Sequence, residues 1–186
     1  MDAEMDPETR YRTYVAELER DYRLRIVRKP DSALHRAIDK ALIVLTFGGM
    51  RAYLDGYQTT IGRTLYVTAD WDDRDPCDRY ITLRHEAVHL RQFRRWTLPG
   101  MALLYLALPL PLGLAYFRAQ FEKEAYAESI RAAAEIYGPD YPRQRWYRDH
   151  VIAQFMGPSY GWMWPFRRAL ERWYDDVLAS SAGACA

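Results

Sequence analysis

Tyr80-Ile-Thr-Leu-Arg-His-Glu-Ala-Val-His-Leu-Arg-Gln92 is the stretch on which the reading of this chain turns. Inside it, His85-Glu86-Ala87-Val88-His89 matches the pattern H-E-x-x-H. Residues four apart on a helix share a face, with roughly 5–6 Å between their Cβ atoms. Two imidazoles so placed can close on one metal ion, each at about 2.0–2.1 Å if the ion is zinc. Glu86 is offset from that face, which suits a carboxylate that handles a water at the metal rather than the metal itself. Ile81, Ala87 or Val88, and Leu90 supply helical apolar spacing, and neither Pro nor Gly interrupts Arg79 to Leu98. The spacing predicts a helix over about Asp78–Thr97. The plainer alternative is a helix with two half-buried histidines and a solvated glutamate.

With 186 residues, 49% of them apolar and 27% charged, the chain is expected to form a single domain, 1–186, with a real core. Its net charge of +1 leaves no nucleic-acid footprint. The two cysteines, Cys77 and Cys185, suggest neither a disulfide framework nor a thiolate metal site. Residues 180–186 read as a flexible tail. The opening Met1–Glu8 is acidic and lacks the pattern of a signal peptide, so a cytoplasmic protein is the default expectation.

Asp6-Pro7 reads as a helix cap and first-turn pair, and Tyr11, Tyr14, Val15, Leu18 and Tyr22 follow at helical spacing. A first helix is expected over about Pro7–Arg23. A second would start near Asp31, bury Leu34, Ile38, Ala41, Leu42 and Leu45, and end at Gly48-Gly49; His35 on it reads as structural or surface. Asp55-Gly56 and Gly62 mark turns. Between them, Met50–Leu54, Tyr57–Ile61 and Arg63–Thr68 read as a small antiparallel sheet or hairpin. The fold class expected is α+β, mostly helical, with this sheet beside the helix of the H-E-x-x-H motif. The loop Asp70–Asp78 holds five aspartates but lacks the Gly and terminal Glu of an EF-hand loop, so capping carboxylates are the better reading.

Leu98–Phe117 carries no charge over the length of a membrane span, but Pro99, Gly100, Pro109, Pro111 and Gly113 oppose one straight helix. A buried helix-turn, an interfacial segment and a single span are the three readings. A span would separate the histidine pair from any ligand further along the chain. Helices are expected next over Arg118–Tyr137, Pro142–Met156 and Pro165–Ala179, with Gly138-Pro139 and Gly157-Pro158 as stops. On the first of these lie Glu122, Glu124 and Glu128, any of which could supply the third protein ligand that a catalytic zinc wants. Otherwise they solvate the helix face or pair with Arg118.

Thr82 and Leu83 before the motif, Ala87 and Val88 inside it and Leu90 after it resemble the longer zincin pattern, with Arg91 a departure. The later glutamates resemble those of the gluzincins, the zincins whose third ligand is a Glu on a later helix. Their Glu-x-x-Ala-Asp pattern, in the group of membrane-associated prenyl-protein and heat-shock endopeptidases, fits in two registers. Glu122-Lys-Glu-Ala125-Tyr126 has Tyr in place of Asp, and Glu124-Ala-Tyr-Ala127-Glu128 has Glu there. In the first, Glu122 binds metal and the orienting acid is missing; in the second, Glu124 binds metal and Glu128 orients. Small bacterial proteins with H-E-x-x-H-x-x-Q and a later Phe-Glu-x-Glu-Ala-Tyr are also similar, and contain both glutamates. The first register is preferred. The resemblance covers about Thr59–Arg131.

The resemblance implies a zinc-dependent metallopeptidase acting on a peptide or protein substrate. His85, His89 and Glu122 or Glu124 would hold zinc, with Glu86 as general base. His150 or Tyr160, with Tyr126 a third candidate, would stabilise the oxyanion. In zincins an edge strand ahead of the motif helix pairs with an extended substrate, which makes Arg63–Thr68 the candidate edge. The alternatives are a catalytically inactive zinc-binding structural or regulatory protein and a membrane-peripheral protein in contact through Leu98–Phe117.

Overall fold

The computed structural model describes residues 5–32, 58–106, 116–157 and 166–182. The expected helix carrying His35, the strand Met50–Leu54, Tyr160 and the final residues 183–186 lie outside these. The described chain is mostly helical α+β. It comprises α1 (Pro7–Tyr22), β1 (Arg25–Arg28), β2 (Thr59–Ile61), β3 (Thr64–Val67), α2 (Pro76–Leu106), α3 (Tyr116–Tyr137), α4 (Arg145–Met156) and α5 (Arg167–Ala182). Contacts divide it into two compact units, Met1–Glu86 and Ala87–Ala186, and the boundary falls inside α2.

In the first unit, Asp6 caps α1 as its sequence predicts, its carboxylate accepting from the Thr9 N–H at 3.1 Å. The sheet is mixed rather than antiparallel: β1 lies parallel to β3, and β2 antiparallel to it, in the order β1-β3-β2. Thr64–Val67 is thus the central strand, which corrects the expectation that Arg63–Thr68 forms an edge. The reason is β1. Its four residues Arg-Ile-Val-Arg are too short to signal a strand and become one only by pairing with β3. Among the described strands β2 is the edge on the other side. The turn between β2 and β3 is two residues, Gly62-Arg63. A positive φ of 62° at Gly62 and none at Arg63 mark the type II′ turn that suits twisted hairpin strands.

The beginning of α2 is anchored twice. Asp75 caps it, accepting from the Cys77 N–H at 2.8 Å, with Pro76 in the first turn, so the pair repeats Asp6-Pro7. From α1, Glu8 pairs with buried Arg79, Tyr14 packs edge-on against Tyr80, and Tyr11 accepts a 3.0 Å hydrogen bond from the Trp71 indole. Asp72 meanwhile pairs with Arg28. Two aspartates of the acidic loop, Asp75 and Asp72, are therefore engaged in capping and pairing.

Helix α2 starts two residues before the expected Asp78 and runs on to Leu106, but it breaks at Thr97, where φ is 60° and ψ 166°. Pro99 explains the break: its ring clashes with the carbonyl four residues back, and it brings no N–H. The expected end at Thr97 thus survives as a kink. Of the apolar stretch Leu98–Phe117, residues 107–115 lie outside the described ones. No helix among the described residues is long and apolar enough to cross a membrane.

The second unit is built on α3, α4 and α5. Ala127 and Ile130 of α3, Val151, Ile152 and Phe155 of α4, and Leu170, Tyr174 and Val177 of α5 form one buried cluster. α4 begins at Arg145, later than the expected Pro142, because residues 138–144 are spent in successive turns. α5 runs over Arg167–Ala182 rather than Pro165–Ala179.

Candidate metal centre

His85 and His89 stand one turn apart on α2, in the unbroken stretch before the kink. Glu122, from the second turn of α3, is 1% exposed, and its Oε1 lies 3.7 Å from His89 Nε2. His85, His89 and Glu122 each offer one ligand atom, all within 4.8 Å of one another. Among the described residues no other group of three or more His, Cys, Asp or Glu side chains is gathered in this way. Two ligands of a tetrahedral zinc, each at about 2.0–2.1 Å, stand roughly 3.3 Å apart. The His89–Glu122 separation exceeds that by about 0.4 Å. Two nitrogens and one carboxylate oxygen are also a donor set that suits zinc, leaving a fourth position for water. The donor types fit such an ion, and the His89–Glu122 pair lies near the spacing it needs.

Two groups of α3, a backbone carbonyl and a carboxylate, hold the His89 side of this cluster through one side chain. Buried Gln92, three residues after His89 and so on the same face of α2, presents its Oε1 2.9 Å from His89 Nδ1. Its Nε2 donates to the Phe121 carbonyl at 3.1 Å and to Glu124 Oε2 at 2.9 Å. In the sequence Gln92 closes the motif stretch as the Q of H-E-x-x-H-x-x-Q, with no role assigned to it. Its i+3 spacing from His89 was the signal that it shares the ligand face.

Glu86, buried beside His85, accepts a 2.7 Å hydrogen bond from the Thr60 hydroxyl on edge strand β2. That bond holds Oε2 and fixes the carboxylate in one orientation.

The three candidate glutamates part company. Glu122 enters the cluster, Glu124 sits at the surface holding Gln92, and Glu128 pairs with Arg131 at 3.4 Å. Tyr126, which takes the place of the gluzincin Asp in the first register, packs against Phe155 at 5.3 Å between ring centroids. His150 is exposed on α4 and is not part of the cluster. Tyr160 lies outside the described residues. Beside Gln92, α2 and α3 leave a cleft of about 350 Å³ walled by Arg91, Arg95, Trp96, Phe117, Phe121 and Glu124 among others.

Comparison with known proteins returns no match: no protein-family model, no curated protein and no solved structure. The site's reading therefore rests on its own chemistry.

Proposed function

We propose that this chain is a zinc-dependent metallopeptidase of the gluzincin type, in which His85, His89 and Glu122 hold the metal and Glu86 is the general base. One observation carries the reading: residues from two helices, 33 positions apart between His89 and Glu122, meet in a buried group of metal-binding atoms. Burying a carboxylate and two imidazoles together is costly unless something compensates, and a divalent cation does so.

Zinc bound by such a set polarises a carbonyl oxygen and lowers the pKa of a water to near 7. The chain's own residues do the rest. Thr60 holds Oε2 of Glu86, so Oε1 is the oxygen that takes the proton from the attacking water. The water oxygen bonds to the scissile carbonyl carbon, the C–N bond breaks, and Glu86 returns the proton to the leaving amine. β2 carries Thr60 and is an edge among the described strands, so it replaces Arg63–Thr68 as the strand against which an extended peptide would pair.

The deciding experiment is peptide-library cleavage by the zinc-loaded protein and its Glu86→Gln variant. A loss of about 10²–10⁴-fold in rate with zinc content unchanged is expected. Hydrolysis equal to the parent's in the variant overturns the mechanism. The near-complete burial of Glu122 and Glu86 favours a second reading, a zinc-stabilised structural protein. Tight zinc binding without cleavage of any peptide would select it.

A further inference from the structure

Resting on that reading, we infer that Gln92 is a positioning residue: with Glu124 behind it, it fixes the protonation pattern of His89 so that ring Nε2 faces the metal position. The argument starts from a constraint on the amide. Gln92 touches three groups, and two of them, the Phe121 carbonyl and the Glu124 carboxylate, can only accept. Its NH₂ must therefore face those two. Its Oε1 is left facing His89 Nδ1 at 2.9 Å, and an oxygen there requires a proton on that nitrogen. In the neutral ring the lone pair is then on Nε2, the atom 3.7 Å from Glu122 Oε1. The backbone carbonyl of Phe121 cannot be deprotonated, rotated away or replaced by substitution, so the polarity of the chain of bonds is set by the main chain of α3.

This arrangement does a second thing. Gln92 is 4% exposed and bridges α2 to α3 one residue before Glu122. The same amide that turns the His89 ring thus sets the distance between the helix bearing the histidines and the helix bearing the glutamate. It also explains the glutamate doublet. Glu122 and Glu124 are about 200° apart around α3, so they cannot both point at one ion. Glu124 instead reaches Gln92 from the rim, and its charge strengthens the hydrogen bond it accepts. An orienting acid is absent where the gluzincin pattern would have it, at Tyr126. Glu124 supplies that charge through the amide.

The test is the tautomer of His89, read by nitrogen NMR of the imidazole in the metal-free full-length protein at a pH where the ring is neutral. An imidazole in water prefers its proton on Nε2. The parent is expected to carry it on Nδ1, and Gln92→Met to revert to the solution preference. Zinc affinity is read in parallel. Gln92→Met is expected to weaken it by about 10–100-fold, and Glu124→Gln, which keeps an acceptor for the Gln92 amide but removes the charge, by less. A parent His89 protonated on Nε2, or Gln92→Met with the parent's tautomer and affinity, overturns the inference. Should Gln92→Met fail to fold, the parent's tautomer and the Glu124→Gln affinity still decide it. The underlying metal reading fails separately, through a parent that binds no zinc or a His85→Ala variant that binds it as well as the parent does.

Discussion

The two halves of α3 differ in what they bury beside apolar side chains. Its first turns bury the Glu122 carboxylate next to Ala119, Phe121 and Ala125, and the Phe121 carbonyl accepts from Gln92. From Ala127 onward the helix buries Ala127, Ile130, Ala132 and Ala133, and the first two belong to the apolar cluster with α4 and α5. One helix therefore combines apolar burial along its length with one buried carboxylate near its start. Apolar burial is favourable whatever the solution contains, at about 25 cal/mol per Å². A buried carboxylate beside two imidazoles is favourable only with a partner of opposite charge. The comparison teaches where to look for function: the buried group that does not stabilise the fold by itself.

The largest break in that contrast should come at the apolar end. Phe155 is fully buried and touches Tyr126 and Trp173, so Phe155→Ala should cost about 3–5 kcal/mol in denaturant unfolding. The zinc-dependent part of the stability should be unchanged by it. Next in size is the polar end. Zinc at about a hundred times its dissociation constant should raise the stability of the parent by about 2.7 kcal/mol, seen as a higher melting temperature. Glu122→Gln should abolish that increment yet leave the metal-free protein as stable as the parent or more so, because a buried charge is gone. A metal-free Glu122→Gln protein much less stable than the parent would make Glu122 a structural residue.

A smaller effect sharpens the apolar side. The Tyr174 hydroxyl, buried at the centre of the cluster, donates to the Pro142 carbonyl at 2.6 Å. Tyr174→Phe should cost about 1 kcal/mol near neutral pH. Burial holds the Tyr174 hydroxyl well above its ordinary range. A group whose pKa is raised by folding contributes fully below its unfolded value, and that contribution is lost as pH rises. The gap between parent and Tyr174→Phe should therefore be complete up to about pH 10, the ordinary tyrosine value, and shrink above it. Parallel pH profiles for the two proteins would contradict this. Smallest is the cap of α2: Asp75→Ala, far from α3, should cost about 1 kcal/mol or less and leave zinc affinity alone.

Much of this was legible in the residues. Asp6-Pro7 marked α1, and the uninterrupted run from Arg79 to Leu98 marked the motif helix, since capping and steric rules act within a few residues. His85 and His89 share a face because four residues make about one turn, which needs no tertiary contact. The sheet was less legible. β1 is too short to carry a periodic signal, so neither its existence nor the central position of β3 could be read before the strands were paired. The same holds for which glutamate joins the histidines. Helical geometry says that Glu122 and Glu124 face different ways; the rotation of α3 against α2 says which one faces His89. The Gln92 bridge to the Phe121 carbonyl and Glu124 is one contact that holds it.

The sequence by itself determined the chemistry on offer: two imidazoles one turn apart, a carboxylate between them and glutamates in reserve on a later helix. Local rules suffice for that, because the backbone geometry of one helix sets the spacing. Only the tertiary structure decided that Glu122 joins the pair, that Thr60 holds Glu86 and that Gln92 holds His89. Each of these depends on how segments distant in the chain pack, and packing is a property of the whole fold rather than of any window of residues.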